Sequence, residues 1–133
     1  MASKKEFEKR VSPEVLRVLL VGESVRVSGY AMTQEGKQKG ELFTFGAIKR
    51  LRHYWVVVTD QRLILVSMGH GPINRGAEFE RAESLANVEV IDTKRIFTGE
   101  AIRIRVGDAE YALRFTGRYK QVARALHDLH QQT

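Results

Sequence analysis

The chain has 133 residues, 43% hydrophobic and 29% charged, with 22 basic side chains against 16 acidic ones and a formal net charge of +6. That size and balance fit one globular domain with a single core, and the absence of cysteine excludes disulfides and thiolate metal sites and suits a reducing cytoplasm. The positive excess favours anionic partners such as lipid headgroups, nucleic acid or acidic proteins, without choosing among them.

The start, MASKKEFEKR, is charged and has the pattern of neither a secretory signal nor a membrane span. Ser12-Pro13-Glu14 reads as a helix start: Ser as N-cap, Pro where its missing N–H costs nothing, and an acid near the positive end of the dipole. Val15, Leu16, Leu19 and Leu20 follow at helical spacing until Gly22. Residues 3 to 10 form either an earlier solvated helix anchored by Phe7 or a frayed terminus. The expected organisation is a helical segment over 1–22 and a folded domain over 23–133.

From Glu23 the period becomes two, with Val25 and Val27 on one face and Arg26, Ser28 and Tyr30 on the other, which predicts a strand. A basic loop, QEGKQKG, leads into ELFTFGAIKRLR, whose spacing fits a strand at Phe43 and Phe45 and a short helix from Ile48 equally well. Between Lys37 and Arg52 lie Lys37, Lys39, Lys49, Arg50 and Arg52 against the single acid Glu41.

Tyr54 to Val58 and Leu63 to Met68 are rich in β-branched and aromatic residues and flank the polar knot Thr59-Asp60-Gln61-Arg62. A hairpin pairing Val58 with Leu63 puts Val56 opposite Leu65 on one face, with Val57 opposite Ile64 and Trp55 opposite Val66 on the other. Both faces are apolar, so the hairpin needs two covers: the core, and a helix, the preceding insertion, a second subunit or a membrane. Asp60 is expected to accept turn N–H groups and Arg62 to pair with it or with a neighbour.

Gly69-His70-Gly71-Pro72 breaks the chain, and short strands follow around Glu78 to Arg81 and Asn87 to Ile91. Gly107-Asp108 suits a two-residue turn pairing Ile104 with Tyr111 and Ile102 with Leu113 inside, and Arg105 with Glu110 outside. After Thr116-Gly117, Tyr119, Val122, Ala123, Leu126 and Leu129 form one helical stripe, with Arg118, Lys120, Arg124 and Asp128 off it. The fold class is therefore mainly β: about seven antiparallel strands in a bent sandwich or barrel, closed by one C-terminal helix and preceded by a short N-terminal one.

YWVVVTDQRLILVSM, SLANVEVID, AIRIRVGDAEYALRF and the closing helix, with LLVGESVRVSGYA before them, resemble bacterial PH-like (pleckstrin-homology-like) domains and, more distantly, GRAM domains, over roughly Leu19 to Leu129. The resemblance implies a non-catalytic binding or scaffolding module. Phosphoinositide-binding PH domains usually carry a tryptophan in the closing helix, whereas the single tryptophan here, Trp55, is in the central hairpin. Their basic lipid signature is matched loosely by Lys37 or Lys39 with Arg50-Leu51-Arg52.

Two surfaces emerge as candidates. Lys37, Lys39, Lys49, Arg50 and Arg52 beside Phe43 and Phe45 combine charge with an insertable wedge, as peripheral binding to the inner face of a membrane requires. The bland alternative makes those phenylalanines core and those charges a solvated rim. Trp55, Val57, Ile64 and Val66 form the second candidate, an interface for a protein partner or for self-association. His127 and His130 stand three apart on the closing helix, too few for a metal site, and His70 lies in a breaker loop, so neither catalysis nor a cofactor is expected. Arg103, Arg105 and Arg114 share an outer strand face without a stacking aromatic, so nucleic-acid binding is not expected either.

Overall fold

A computed structural model describes residues 4–34, 51–70, 77–96 and 99–129. The N-terminal helix α1 (Lys4–Val18) leads into seven strands: β1 (Val25–Gln34), β2 (Leu51–Thr59), β3 (Arg62–His70), β4 (Glu78–Ser84), β5 (Val88–Ile96), β6 (Gly99–Val106) and β7 (Ala109–Thr116). A 3-10 turn at Gly117–Tyr119 opens the closing helix α2 (Lys120–Asp128). All strand pairs are antiparallel in one sheet of order β4-β3-β2-β1-β7-β6-β5.

Both hairpins take the register that side-chain alternation predicts. Val58 faces Leu63, Val57 Ile64, Val56 Leu65 and Trp55 Val66. In the second hairpin Ile104 faces Tyr111, Ile102 Leu113 and Arg105 Glu110, and Gly107 takes the positive φ of 61° that the tight turn demands. The inner face of the curled sheet gathers Val56, Val58, Leu63 and Leu65 with Ile102, Ile104, Leu113 and Phe115, all buried. Tyr54 meets Tyr111 edge-on across this interior, with ring centroids 5.8 Å apart. The open side between β4 and the β6–β7 hairpin is bridged by polar contacts: Arg81 donates to the Val106 carbonyl (3.2 Å) and the Tyr111 hydroxyl to Glu80 (3.1 Å).

In α2 the predicted stripe is the buried one: Val122, Ala123 and Leu126 are buried together with Tyr119. Gly29 of β1 lies directly beneath it. A Cβ there would come within 2.7 Å of Tyr119 Cδ1 and 2.8 Å of Val122 Cγ2, so glycine is what lets the helix seat this close.

The N-terminal helix departs from expectation. Ser12 is not its N-cap; α1 runs unbroken from Lys4 through Pro13 to Val18. Proline's fixed φ is itself helical, and Lys9, Ser12 and Pro13 are all exposed, so the backbone bond lost at Pro13 is replaced by solvent. The helix stops at Val18, before Gly22, which takes a φ of 82° in the turn to β1. Strands β4 and β5 both extend beyond the short segments expected, to Ser84 and Ile96.

Replacing Gly29 by Ala is expected to destabilise the fold by about 1–3 kcal/mol through overpacking, despite alanine's better backbone entropy. Urea unfolding of the two proteins checks this, and an unchanged midpoint contradicts the close seating of α2.

Candidate functional site

The polar knot at the β2–β3 turn is a structural clamp. Glu23, just before β1, has a fully buried side chain, and each of its carboxylate oxygens takes two donors. Oε1 accepts Arg62 Nη2 (2.7 Å) and the Leu20 N–H (2.9 Å). Oε2 accepts Arg62 Nε (2.9 Å) and the Thr59 hydroxyl (2.7 Å). The guanidinium also donates to the Val18 carbonyl at the end of α1 (2.6 Å). The bidentate bond from Arg62, above all, holds the Glu23 carboxyl down at about 2, against the opposing effect of burial.

Arg62 thus pairs with Glu23, not Asp60. Thr59 takes the role expected of Asp60: its hydroxyl oxygen accepts the N–H groups of Gln61 (3.0 Å) and Arg62 (2.8 Å). Asp60 instead reaches across to the residue before β1, accepting the Ser24 N–H (2.9 Å) while its own N–H donates to the Ser24 carbonyl (3.0 Å). A carboxylate whose oxygens are all engaged by fixed donors has no lone pair left for proton transfer, so Glu23 serves as a structural clamp.

The clamp fixes α1 over the outer face of the β2–β3 hairpin. Trp55, Val57, Ile64 and Val66, the candidate interface, are each 2% exposed or less. Helix α1 lies against β3 and β4, with Val15 buried and Val18 and Leu19 half-buried, and the Tyr119 ring meets Trp55 edge-on at 5.9 Å. The cover is incomplete. An open groove of about 250 Å³ runs between α1 and β1, with Ser12, Val15, Leu16 and Leu19 on one wall, Val25 and Ser28 on the other, and Trp55 and Val57 at its floor. Leu16 (70% exposed) and Val25 (44%) line it, and Leu20 (52%) and Val21 (104%) are exposed in the turn between α1 and β1; these are four of the five large apolar side chains exposed among the described residues. Sequence reasoning missed these four as a surface. For Leu16, Leu20 and Val21 the signal is the run VLRVLLVG, whose apolar residues outnumber what one helix face can bury.

Of the basic cluster, Lys37, Lys39, Phe43, Phe45, Lys49 and Arg50 lie outside the described residues. Arg52 is half-buried on β2, and its Nη1 donates to the Tyr54 hydroxyl (3.3 Å). The outer arginines of the second hairpin form a ladder with acids: Arg103 with Asp92 (3.0 Å), and Arg105 with Glu89 (2.9 Å) and Glu110 (3.9 Å). His127 is exposed on α2, the His70 side chain and His130 lie outside the described residues, and among those residues no three potential metal ligands come together. His53 is buried on β2, where its Nδ1 shares a hydrogen bond with the Tyr30 hydroxyl, whose pKa burial pushes up to about 12.

Comparison with known proteins agrees with this geometry. The family model described as "Bacterial PH domain" matches residues 31–131, and the chain belongs to that family. No curated protein matches it in sequence. Among solved structures it is similar to the hSac2 domain from human phosphoinositide phosphatase Sac2, with a TM-score of 0.53 and 12% identity over 99% of this chain and 86% of that one. At that identity the likeness is one of fold alone. Among the described residues, no helix is long and apolar enough to cross a membrane.

The clamp carries a pH dependence with a definite sign. A carboxyl held below its ordinary 4.5 stabilises the fold fully above that pH and loses its contribution as pH falls from 4.5 toward 2. With allowance for solvent at the partly exposed Arg62, the contribution near neutral pH is about 2 kcal/mol. Glu23→Gln should therefore be less stable than wild type at pH 7 by about that amount, with the difference shrinking as pH falls to 2. Denaturant unfolding over this range measures it, and parallel pH curves for the two proteins contradict it.

Proposed function

We propose that this bacterial PH domain is a non-catalytic binding module that engages a protein partner through the groove between α1 and the β1–β2 surface. One observation carries the reading: Leu16 and Val25 are exposed in the lining of a concave apolar groove, with Leu20 and Val21 exposed in the turn that joins α1 to β1, while the rest of the hairpin's outer face is covered. Contiguous exposed apolar surface is costly in water, and in a well-packed domain it marks where another molecule sits. The saturation of Glu23 by its own donors and the pairing of Arg103 and Arg105 with acids support a non-catalytic role, because neither leaves a poised acid, base or nucleophile. The two floor residues, Trp55 and Val57, belong to the hairpin face that sequence alone marks as needing a cover. A protein with no cysteine fits a cytoplasmic place of action.

A photo-crosslinking amino acid at Leu20 tests the site in cells that express the protein naturally. Crosslinks to a protein are expected from position 20 and not from the exposed Arg118 near α2. Equal crosslinking from both positions, or none from Leu20, overturns the groove as the binding site.

A further inference from the structure

We infer that the occupant of the groove is an amphipathic helix with an acidic flank, supplied by a foreign protein rather than by a second copy of this chain; this rests on the groove being the binding site. The first argument is shape. The α1 wall is built by Ser12, Val15, Leu16 and Leu19, the i, i+3, i+4, i+7 ridge of a helix, and it extends for about 10 Å, two helical turns. A guest helix seats its own ridge against such a wall, as helices pack in grooves generally. Ser12 and Ser28 are the only polar side chains in the lining, apart from the indole N–H of Trp55. Leu20 and Val21, which follow Leu19 in the chain, are exposed apolar side chains as well.

The second argument is charge. The groove lining contains no acidic side chain. Lys9, exposed one turn before Ser12 on α1, and Arg26, exposed next to Val25 on β1, put a cation on each of the two elements that form the walls. Arg17, exposed beside Leu16, adds a third that is partly offset by its ion pair with Glu14. A guest with glutamates or aspartates flanking its apolar stripe meets opposite charge on each side, whereas a twofold dimer would set this same cationic surface against itself. The net charge of +6 steers acidic partners in the same direction at longer range. A flat bilayer shares the charge argument but not the shape, because the groove is concave and its floor, Trp55 and Val57, is all but buried.

Trp55 is the chain's single tryptophan and lies on the groove floor, so its fluorescence reports occupancy without a label. The probe is a stapled helical peptide of about 14 residues with leucines at i, i+3, i+4 and i+7, flanked by glutamates in one version and by lysines in the other. The full-length protein should show a saturable change in Trp55 emission with the glutamate peptide, weakening as salt rises, and at least tenfold weaker binding of the lysine peptide. Leu16→Asp should abolish the response. Arg26→Glu should strengthen the lysine peptide at the expense of the glutamate one, a reversal that a folding defect cannot mimic.

Equal affinity for both peptides, or no saturable response to either, overturns the acidic helix as occupant. A response to phosphatidylserine vesicles but to neither peptide overturns it in favour of a membrane. A wild-type mass in light scattering of twice 15.2 kDa that Leu16→Asp reduces to the monomer overturns it in favour of a second copy. Protein crosslinks from Leu20 combined with peptide failure remove only the acidic helix and leave the groove standing; failure of both removes both.

Discussion

The Glu23–Arg62 pair is the contact on which the rest of the arrangement depends. Its four donors come from three places in the chain: the end of α1 through Leu20, the strand end at Thr59, and Arg62 at the start of β3. Arg62 also holds the Val18 carbonyl, so one guanidinium joins the last turn of the helix to the hairpin it covers. A buried carboxylate without such partners would be prohibitively costly, and the pair is stable because every oxygen lone pair is used. One cluster thus both satisfies the buried carboxylate and ties the end of α1 to the hairpin.

The orientation of α1 answers a requirement set by the β2–β3 hairpin. Tyr54, Val56 and Val58 face the interior while Trp55 and Val57 face out, and every one of them is buried. An all-apolar strand forces the chain to build a second layer, and among the described residues α1, with Tyr119 against Trp55, supplies it. Yet α1 is a thin lid. Val15 is buried, Val18 and Leu19 are half-buried, and Leu16 stands out in solvent. The groove is what remains when a helix with one narrow apolar stripe is laid over a wider apolar sheet. On the proposed reading, binding surface and structural cover are the same feature, and a partner completes the layer that α1 begins.

The strand pairings were legible because they depend on local rules. Val57 opposite Ile64 and Ile104 opposite Tyr111 follow from period-two alternation and turn length, and a slip of one residue would expose each apolar row. The α2 stripe was legible for the same reason at period 3.6. What was not legible depends on residues distant in sequence. Thr59 and Asp60 both offer oxygens to turn N–H groups, and what decides between them is that Ser24, 36 residues away, claims Asp60. In the sequence Glu23 marks only where the strand period begins, and its partner Arg62 lies 39 residues on. Pro13 read as a helix start because it meets the N1 preference, but the same φ lets it continue a helix whose lost bond faces water.

By itself the sequence determined the seven-stranded architecture, the registers of both well-marked hairpins, the buried stripe of α2 and the need for two covers over the central strands. Each of these is fixed by alternation, helical period or turn chemistry within a few neighbouring residues. Only the tertiary structure decided which element became the second cover, which acid Arg62 pairs with, and where apolar side chains were left over in solvent. Those outcomes depend on how α1 docks through contacts that join residues 15–25 to residues 55–66, and no local pattern encodes the angle at which a helix comes to rest on a sheet.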